Sequence, residues 1–171
     1  MNNRIEIVPA AKFSTLYYRD RLCDILKRED LDLFVDDCLL FWPHHLEAFE
    51  TGFSNGHKKE GAVRYKLYKI RVPSSNILPV YEASQSSDPE PIAPFRGIVT
   101  IDKVVVARPG GLTKDEILSD GFRGKTDMVI DMRQHYPDLK IDSWLTLYKL
   151  SNYNPKPTKK EVKRVLEASK I

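Results

Sequence analysis

The 171-residue sequence is poor in cysteine, with two, and in methionine, with three. Two cysteines cannot build the dense disulfide framework on which small secreted folds depend. Cys23 and Cys38 both fall on the apolar side of helical patterns, which assigns each to the core as a free thiol. Long apolar runs are missing as well. Cys38–Trp42 and Val104–Ala107 fall far short of the roughly 20 residues that cross a bilayer. The N-terminus, Met1-Asn2-Asn3-Arg4-Ile5-Glu6, has neither the basic region nor the apolar stretch of a secretory leader. A cytoplasmic protein with no membrane partner is therefore expected. Histidine is scarce too: His44, His45 and His57 have no metal-ligand spacing to Cys38 or to a carboxylate, and no metal or other cofactor is expected.

What is present is ordinary for a folded chain. Hydrophobic residues make up 42% and charged residues 30%, too apolar a mixture to stay disordered. The length suits one substantial core, so residues 1–171 are expected to form a single domain. The net charge of +3 is small but unevenly spread. Residues 1–55 carry 6 Lys/Arg against 10 Asp/Glu, and residues 56–171 carry 21 against 14, so the second part holds the basic surface.

Arg4–Val8 reads as a strand that Pro9 terminates. Tyr18, Leu22, Ile25 and Leu26 recur at helical spacing. Asp30 can cap a second helix whose apolar positions are Leu31, Phe34, Val35, Cys38, Phe41 and Trp42, and Pro43 can open a further turn. Residues 1–55 are thus expected to be helical. Asn55-Gly56 marks a turn, after which the pattern becomes β. In the strand expected over Val63–Val72 the apolar parity flips from Val63, Tyr65 and Leu67 to Tyr68, Ile70 and Val72. A bulge near Leu67 or Tyr68, or burial on both sides, accommodates the flip. Further strands are expected at Leu78–Ala83, Gly97–Ala107 and Trp144–Leu150, with a Ser/Pro/Asp loop at Ser84–Pro94. Capping boxes at Thr113–Glu116 and Thr158–Glu161 open helices, and another helix spans Thr126–His135. Residues 156–171 form a basic helix in which Lys159, Lys160, Lys163 and Arg164 face out, a surface able to extend phosphate contacts.

The order of elements over residues 60–152 resembles the ASCH family within the PUA-like group. The segments that carry the resemblance are Val80-Tyr81-Glu82-Ala83-Ser84, Phe95-Arg96-Gly97-Ile98-Val99, Leu118-Ser119-Asp120-Gly121-Phe122 and Tyr136-Pro137 before a last strand. It implies an α+β fold, a small PUA-like β-barrel with flanking helices and a helical N-terminal segment. The family hallmark is Gly-x-Lys-x-x-Glu-x-Arg in the barrel mouth. Lys66-Leu67-Tyr68-Lys69-Ile70-Arg71 aligns with its Lys-x-x-Glu-x-Arg, putting Arg64 at the Gly position and Lys69 at the Glu position. A competing alignment takes Gly56-His57-Lys58-Lys59-Glu60 with Arg64, and its Glu and Arg each miss the spacing by one.

On the first alignment Arg64, Lys66, Lys69 and Arg71 interleave with Tyr65 and Tyr68, cations for phosphate beside rings for bases. Tyr81, Ser84 and Arg96 complete the expected nucleic-acid site, and Asp120 is the counter-charge that the alignment offers. The resemblance implies a module that binds nucleic acid, RNA in preference to DNA, in a basic cleft. Two alternatives stand beside it. One is a hydrolase, either a ribonuclease or an amidohydrolase acting on a modified nucleoside. In the family's amidohydrolases a Lys, a Thr three residues on and a carboxylate act together. Lys66 and Asp120 match two of these, but Lys69 replaces the Thr. The other alternative is a protein-interaction domain built on the acidic front of the chain.

Overall fold

The chain is organised around one long strand. The computed structural model describes residues 4–83 and 94–168, and the loop expected over Ser84–Pro94 lies almost wholly outside them, Ser84 included. In chain order the first elements are β1 (Arg4–Ile7), α1 (Thr15–Arg28), β2 (Asp32–Asp36), β3 (Leu39–Phe41), α2 (Pro43–Thr51), β4 (Gly61–Arg64) and β5 (Lys69–Pro73). They are followed by β6 (Ile77–Glu82), β7 (Phe95–Ala107), α3 (Lys114–Ser119), α4 (Lys125–His135), β8 (Leu145–Asn154) and α5 (Lys159–Ala168). Strand β7 pairs with β8 along one edge, and along the other with β6 over its first half and β1 over its second. The main sheet runs β3-β6-β7-β8-β4 and curls into a half-barrel, and β2 and β5 form a separate parallel pair.

The apolar run at the end of β7 is continuous because both of its faces are covered. Val104 and Val106 join the core that includes Tyr18, Leu22 and Ile25 of α1. Val105 and Ala107 join a second core with Ile117, Met128 and Met132 of α3 and α4. Helix α1 begins on Ser14, whose side chain accepts from Tyr17 N–H, and both expected capping boxes are formed.

Four expectations need correction. The helix expected from Asp30 to Trp42 is instead β2 and β3. Asp30 does not open a helix but closes α1: it takes a left-handed φ of 53°, and Asp30 and Leu31 N–H reach back to the Lys27 and Leu26 carbonyls. Leu33, Phe34 and Val35 then pair with Ile70, Arg71 and Val72, a tertiary ladder that overrides the local helical spacing. Residues 1–55 are therefore mixed rather than helical. Second, Cys23 is exposed, because it follows Leu22 around α1 onto the solvent side, and Cys38 is only half-buried. Third, Val63–Val72 is two strands. Tyr68 at φ 62° turns the chain, and β4 and β5 go to different sheets, which is what the parity flip records. Fourth, the last strand continues past Leu150 to Asn154.

One glycine is fixed by this packing. Gly97 has φ +132°, and a Cβ built there would lie 2.2 Å from the Asn154 carbonyl oxygen. Gly97→Ala combines a left-handed strain with a backbone clash, so it is expected to cost more than about 1 kcal/mol. A lower urea midpoint at unchanged slope checks this.

Candidate functional site

Between the two free edges of the half-barrel lies a cleft of about 1210 Å³, lined by β2, β3, the start of α2, β4 and α4. Arg64 on β4 donates to its neighbour's carbonyl at Val63 (3.0 Å) and across the opening to the Leu40 carbonyl on β3 (3.1 Å). Its guanidinium also lies 5.1 Å from the centre of the Phe41 ring. Among the described residues no carboxylate forms an ion pair with it.

Below Arg64 sits a buried pair. The Lys59 side chain is wholly buried; its Nζ donates to the Gly61 carbonyl (2.6 Å) and to Asp120 Oδ1. Asp120 Oδ2 accepts from Val63 N–H at 2.9 Å. The pair thus satisfies backbone groups of β4, a strand that among the described residues pairs with β8 alone. Asp120 reaches this position from the end of α3, where Gly121 (φ +91°) lets the chain pass Phe53; a Cβ there would stand 2.8 Å from that ring. Burial pushes the Lys59 amine down to about 8 against the pull of Asp120. Burial alone would raise the Asp120 carboxyl, but Lys59, with Arg64 beyond it, outweighs burial and holds the group below the usual carboxylate range. His45 Nδ1 lies 3.5 Å from Asp120 and has no hydrogen-bond partner among the described residues. Burial, with Lys59 beside it, pushes His45 down to about 3, so its ring is neutral.

A second buried cluster forms another wall. Arg71 Nε and Nη2 hold Asp36 at 3.0 and 2.5 Å, and Tyr148 OH donates to Asp36 Oδ2 at 2.7 Å. Burial opposes the Arg71 charge, yet Asp36 raises its pKa on balance.

Of the residues singled out in the sequence, Arg64, Arg71 and Asp120 line the cleft. The others stand elsewhere. Tyr65 is buried against Tyr136, 5.7 Å between ring centres. Lys66 is exposed, with Nζ 4.8 Å above Phe34; Tyr68 is 70% exposed at the turn; Lys69 pairs with Asp32 at 3.8 Å. Tyr81 meets Phe95 edge-on at 5.7 Å, and Arg96 reaches Glu82 at 3.4 Å.

Lys59, His45 and Trp42 also belong to the cleft region, although the sequence pattern does not mark them as site residues. For Lys59 a signal existed: Lys59 and Arg64 are five residues apart, the same separation as the Lys and Arg of the family hallmark, with Ala62 in the Glu place. With Gly56 at the motif Gly, the motif Lys falls on Lys58 and this register is missed. The cleft also differs in charge from a basic one. Its lining holds six acidic residues against Arg64 and Arg71. Asp36, Asp120 and Glu82 are committed to Arg71, Lys59 and Arg96, while Asp37, Glu47 and Asp131 have no ion-pair partner among the described residues.

Comparison with family models, with curated proteins and with solved structures found no match to this chain. The likeness to ASCH domains accordingly rests on the sequence segments alone. Among the described residues no helix is long and apolar enough to cross a membrane.

Two outcomes follow from the buried pair and its histidine. Lys59→Met leaves Asp120 as an uncompensated buried charge and is expected to cost about 3–5 kcal/mol. Adding Asp120→Leu should recover part of that loss, the residue being the orphaned Val63 N–H at about 1–3 kcal/mol; urea unfolding of the three proteins checks the order. His45 titrates near 6.5 when unfolded and near 3 when folded, so the unfolded chain binds the extra proton over that window and stability falls as pH drops below 6.5. In His45→Asn the urea midpoint should change less than in the wild type between about pH 7 and about pH 5, a range above the carboxylate titrations.

Proposed function

We propose that the protein is a nucleic-acid-binding module that takes one unstacked base into the cleft, with single-stranded RNA as the preferred partner. The observation that carries this reading is the aromatic cleft with its arginine at the mouth. Trp42, Phe41, Phe122 and Tyr136 line it, and Arg64 bridges the opening with no carboxylate partner among the described residues. Bases offer π-faces to such walls whatever their sequence, and a guanidinium at the rim can hold the attached phosphate in a fork. The balance of charge inside favours a base over a phosphate. The deep cations Lys59 and Arg71 are neutralised in place, so the interior presents rings and hydrogen-bonding groups rather than free positive charge. A curled half-barrel open between two edge strands is also what an ASCH-like, PUA-like module would offer.

Hydrolysis has one observation in its favour, the Lys59 amine held near 8 beside a carboxylate. Against it, the nitrogen is sealed beneath the cleft, and Ala62 supplies no hydroxyl where the amidohydrolase motif has one.

Anisotropy titration of a short fluorescein-labelled single-stranded RNA should give micromolar or weaker affinity that falls as salt rises. Trp42→Ala should weaken it at least about five-fold through lost stacking. Bound RNA should also slow maleimide labelling of Cys38, which lines the cleft, in a Cys23→Ser background. Absence of binding at low salt, or binding indifferent to Trp42→Ala with Cys38 still freely labelled, would overturn the reading.

A further inference from the structure

A base-binding cleft whose deep cations are neutralised and whose lining is rich in carboxylates must leave the strand's phosphates to cations elsewhere. The surface continues from the cleft in a definite direction. Glu82 forms part of the cleft wall and holds Arg96; the residue before each, Tyr81 and Phe95, are paired across β6 and β7. The register shifts here, with Val80 opposite Gly97 and Tyr81 opposite Phe95, so Arg96 is the extra residue of a bulge. Bulges re-aim side chains at strand ends, and this one sends the Arg96 side chain back toward the cleft wall while Phe95 faces the other way, toward α5. Phe95 there forms one side of a second groove of about 520 Å³, lined also by half-buried Pro157 and Val162, by Leu166, and by exposed Lys159, Lys163 and Glu167, two cations against one carboxylate.

The groove has the composition of a single-strand platform. Phe95 is 37% exposed and gives a ring; Lys159 and Lys163 are both exposed, one turn apart on α5, and give two cations at the spacing of a helix face. Lys160 and Arg164 follow on the same helix and Lys156 precedes it. Among the described residues, Lys159 and Lys163 form no salt bridge, whereas Arg64's neighbours Lys59 and Arg71 are both spent on carboxylates.

We infer that the groove between Phe95 and α5 binds the nucleotide next to the one held in the cleft, Phe95 stacking on its base and Lys159 and Lys163 contacting the flanking phosphates. The inference rests on the base-binding reading of the cleft, and it names the path of the strand: from Arg64, past Glu82 and Arg96, to α5. It also gives the binding site a minimum length of two nucleotides.

The test uses the full chain and the same labelled single-stranded RNA. Lys159→Glu/Lys163→Glu is expected to weaken binding at least about ten-fold and to flatten the dependence of log affinity on log salt by roughly 1.4, two contacts at about 0.7 each. Phe95→Ala is expected to weaken it about five-fold with the salt slope unchanged. Lys114→Glu/Lys125→Glu, an equal charge change at exposed starts of α3 and α4, controls for net charge and should leave the slope at the wild-type value. An equal response of both double variants, or a wild-type slope in Lys159→Glu/Lys163→Glu, would overturn the groove assignment. If Trp42→Ala still weakens binding in that case, the cleft reading survives without the groove. If the wild type binds no RNA at all, both fall together.

Discussion

The ion pair between Lys59 and Asp120 is the constraint on which the site is built. Two charges removed from water attract strongly, but the cost of desolvating them is repaid only where their remaining hydrogen-bonding capacity is also satisfied. Here Lys59 gives a second bond to the Gly61 carbonyl and Asp120 takes one from Val63 N–H. The pair therefore does three things at once. It finishes the unpaired side of β4, it anchors the end of α3 to that strand, and it fixes the floor beneath Arg64. Phe41 and Phe53 close over the ammonium at 4.7 and 5.8 Å, so water is kept from the pair and its mutual attraction is not screened.

The same economy of charge runs through the rest of the cleft. Asp36 receives Arg71 and Tyr148 together, which ties the small parallel sheet to β8 of the main sheet. A tyrosine buried this deeply and hydrogen-bonded to a carboxylate is held well above its usual titration range, so it remains a donor. Because the deep cations Lys59 and Arg71 are used in this way, the free positive charge lies outside the cleft. Rings, neutral His45 and the carboxylates Asp37, Glu47 and Asp131 line the cleft, while Lys159 and Lys163, without an ion pair among the described residues, lie outside it on α5. On the proposed reading, a nucleic acid would be drawn to the outside and would enter the cleft only through a base, an uncharged planar group.

Much of the scaffold was legible in the sequence because its signals are local. Tyr18, Leu22, Ile25 and Leu26 lie on one face of a helix and are all buried, and the Thr113/Glu116 and Thr158/Glu161 boxes close on their own backbone. The region from Asp30 to Trp42 was not legible. Its apolar residues fit a helix as well as a strand, and the choice is made by a partner, Lys69–Pro73, more than thirty residues away. The site was half legible for the same reason. Arg64, Arg71 and Asp120 could be marked by motif position, but a Lys buried by Phe41 and Phe53 looks in sequence like any lysine in the polar stretch Gly56–Gly61. What makes Lys59 different is the absence of water around it, and that is a property of the fold.

Arg64 shows why the opening persists instead of closing into a full barrel. Strands β3 and β4 are the two ends of the sheet path, and joining them would need a ladder between Leu39–Phe41 and Gly61–Arg64. Val63 N–H is already given to Asp120, the Gly61 carbonyl accepts from Lys59 and the Val63 carbonyl from Arg64, so these groups of the β4 edge are not available to β3. The edge is protected by side chains in place of a strand, which also guards it against pairing with another chain. Arg64 then spans the gap with one hydrogen bond to the Leu40 carbonyl. A single side-chain bridge can be exchanged for a ligand's phosphate without disturbing any ladder. The residues that keep the barrel from closing are thus the same ones that leave its mouth available.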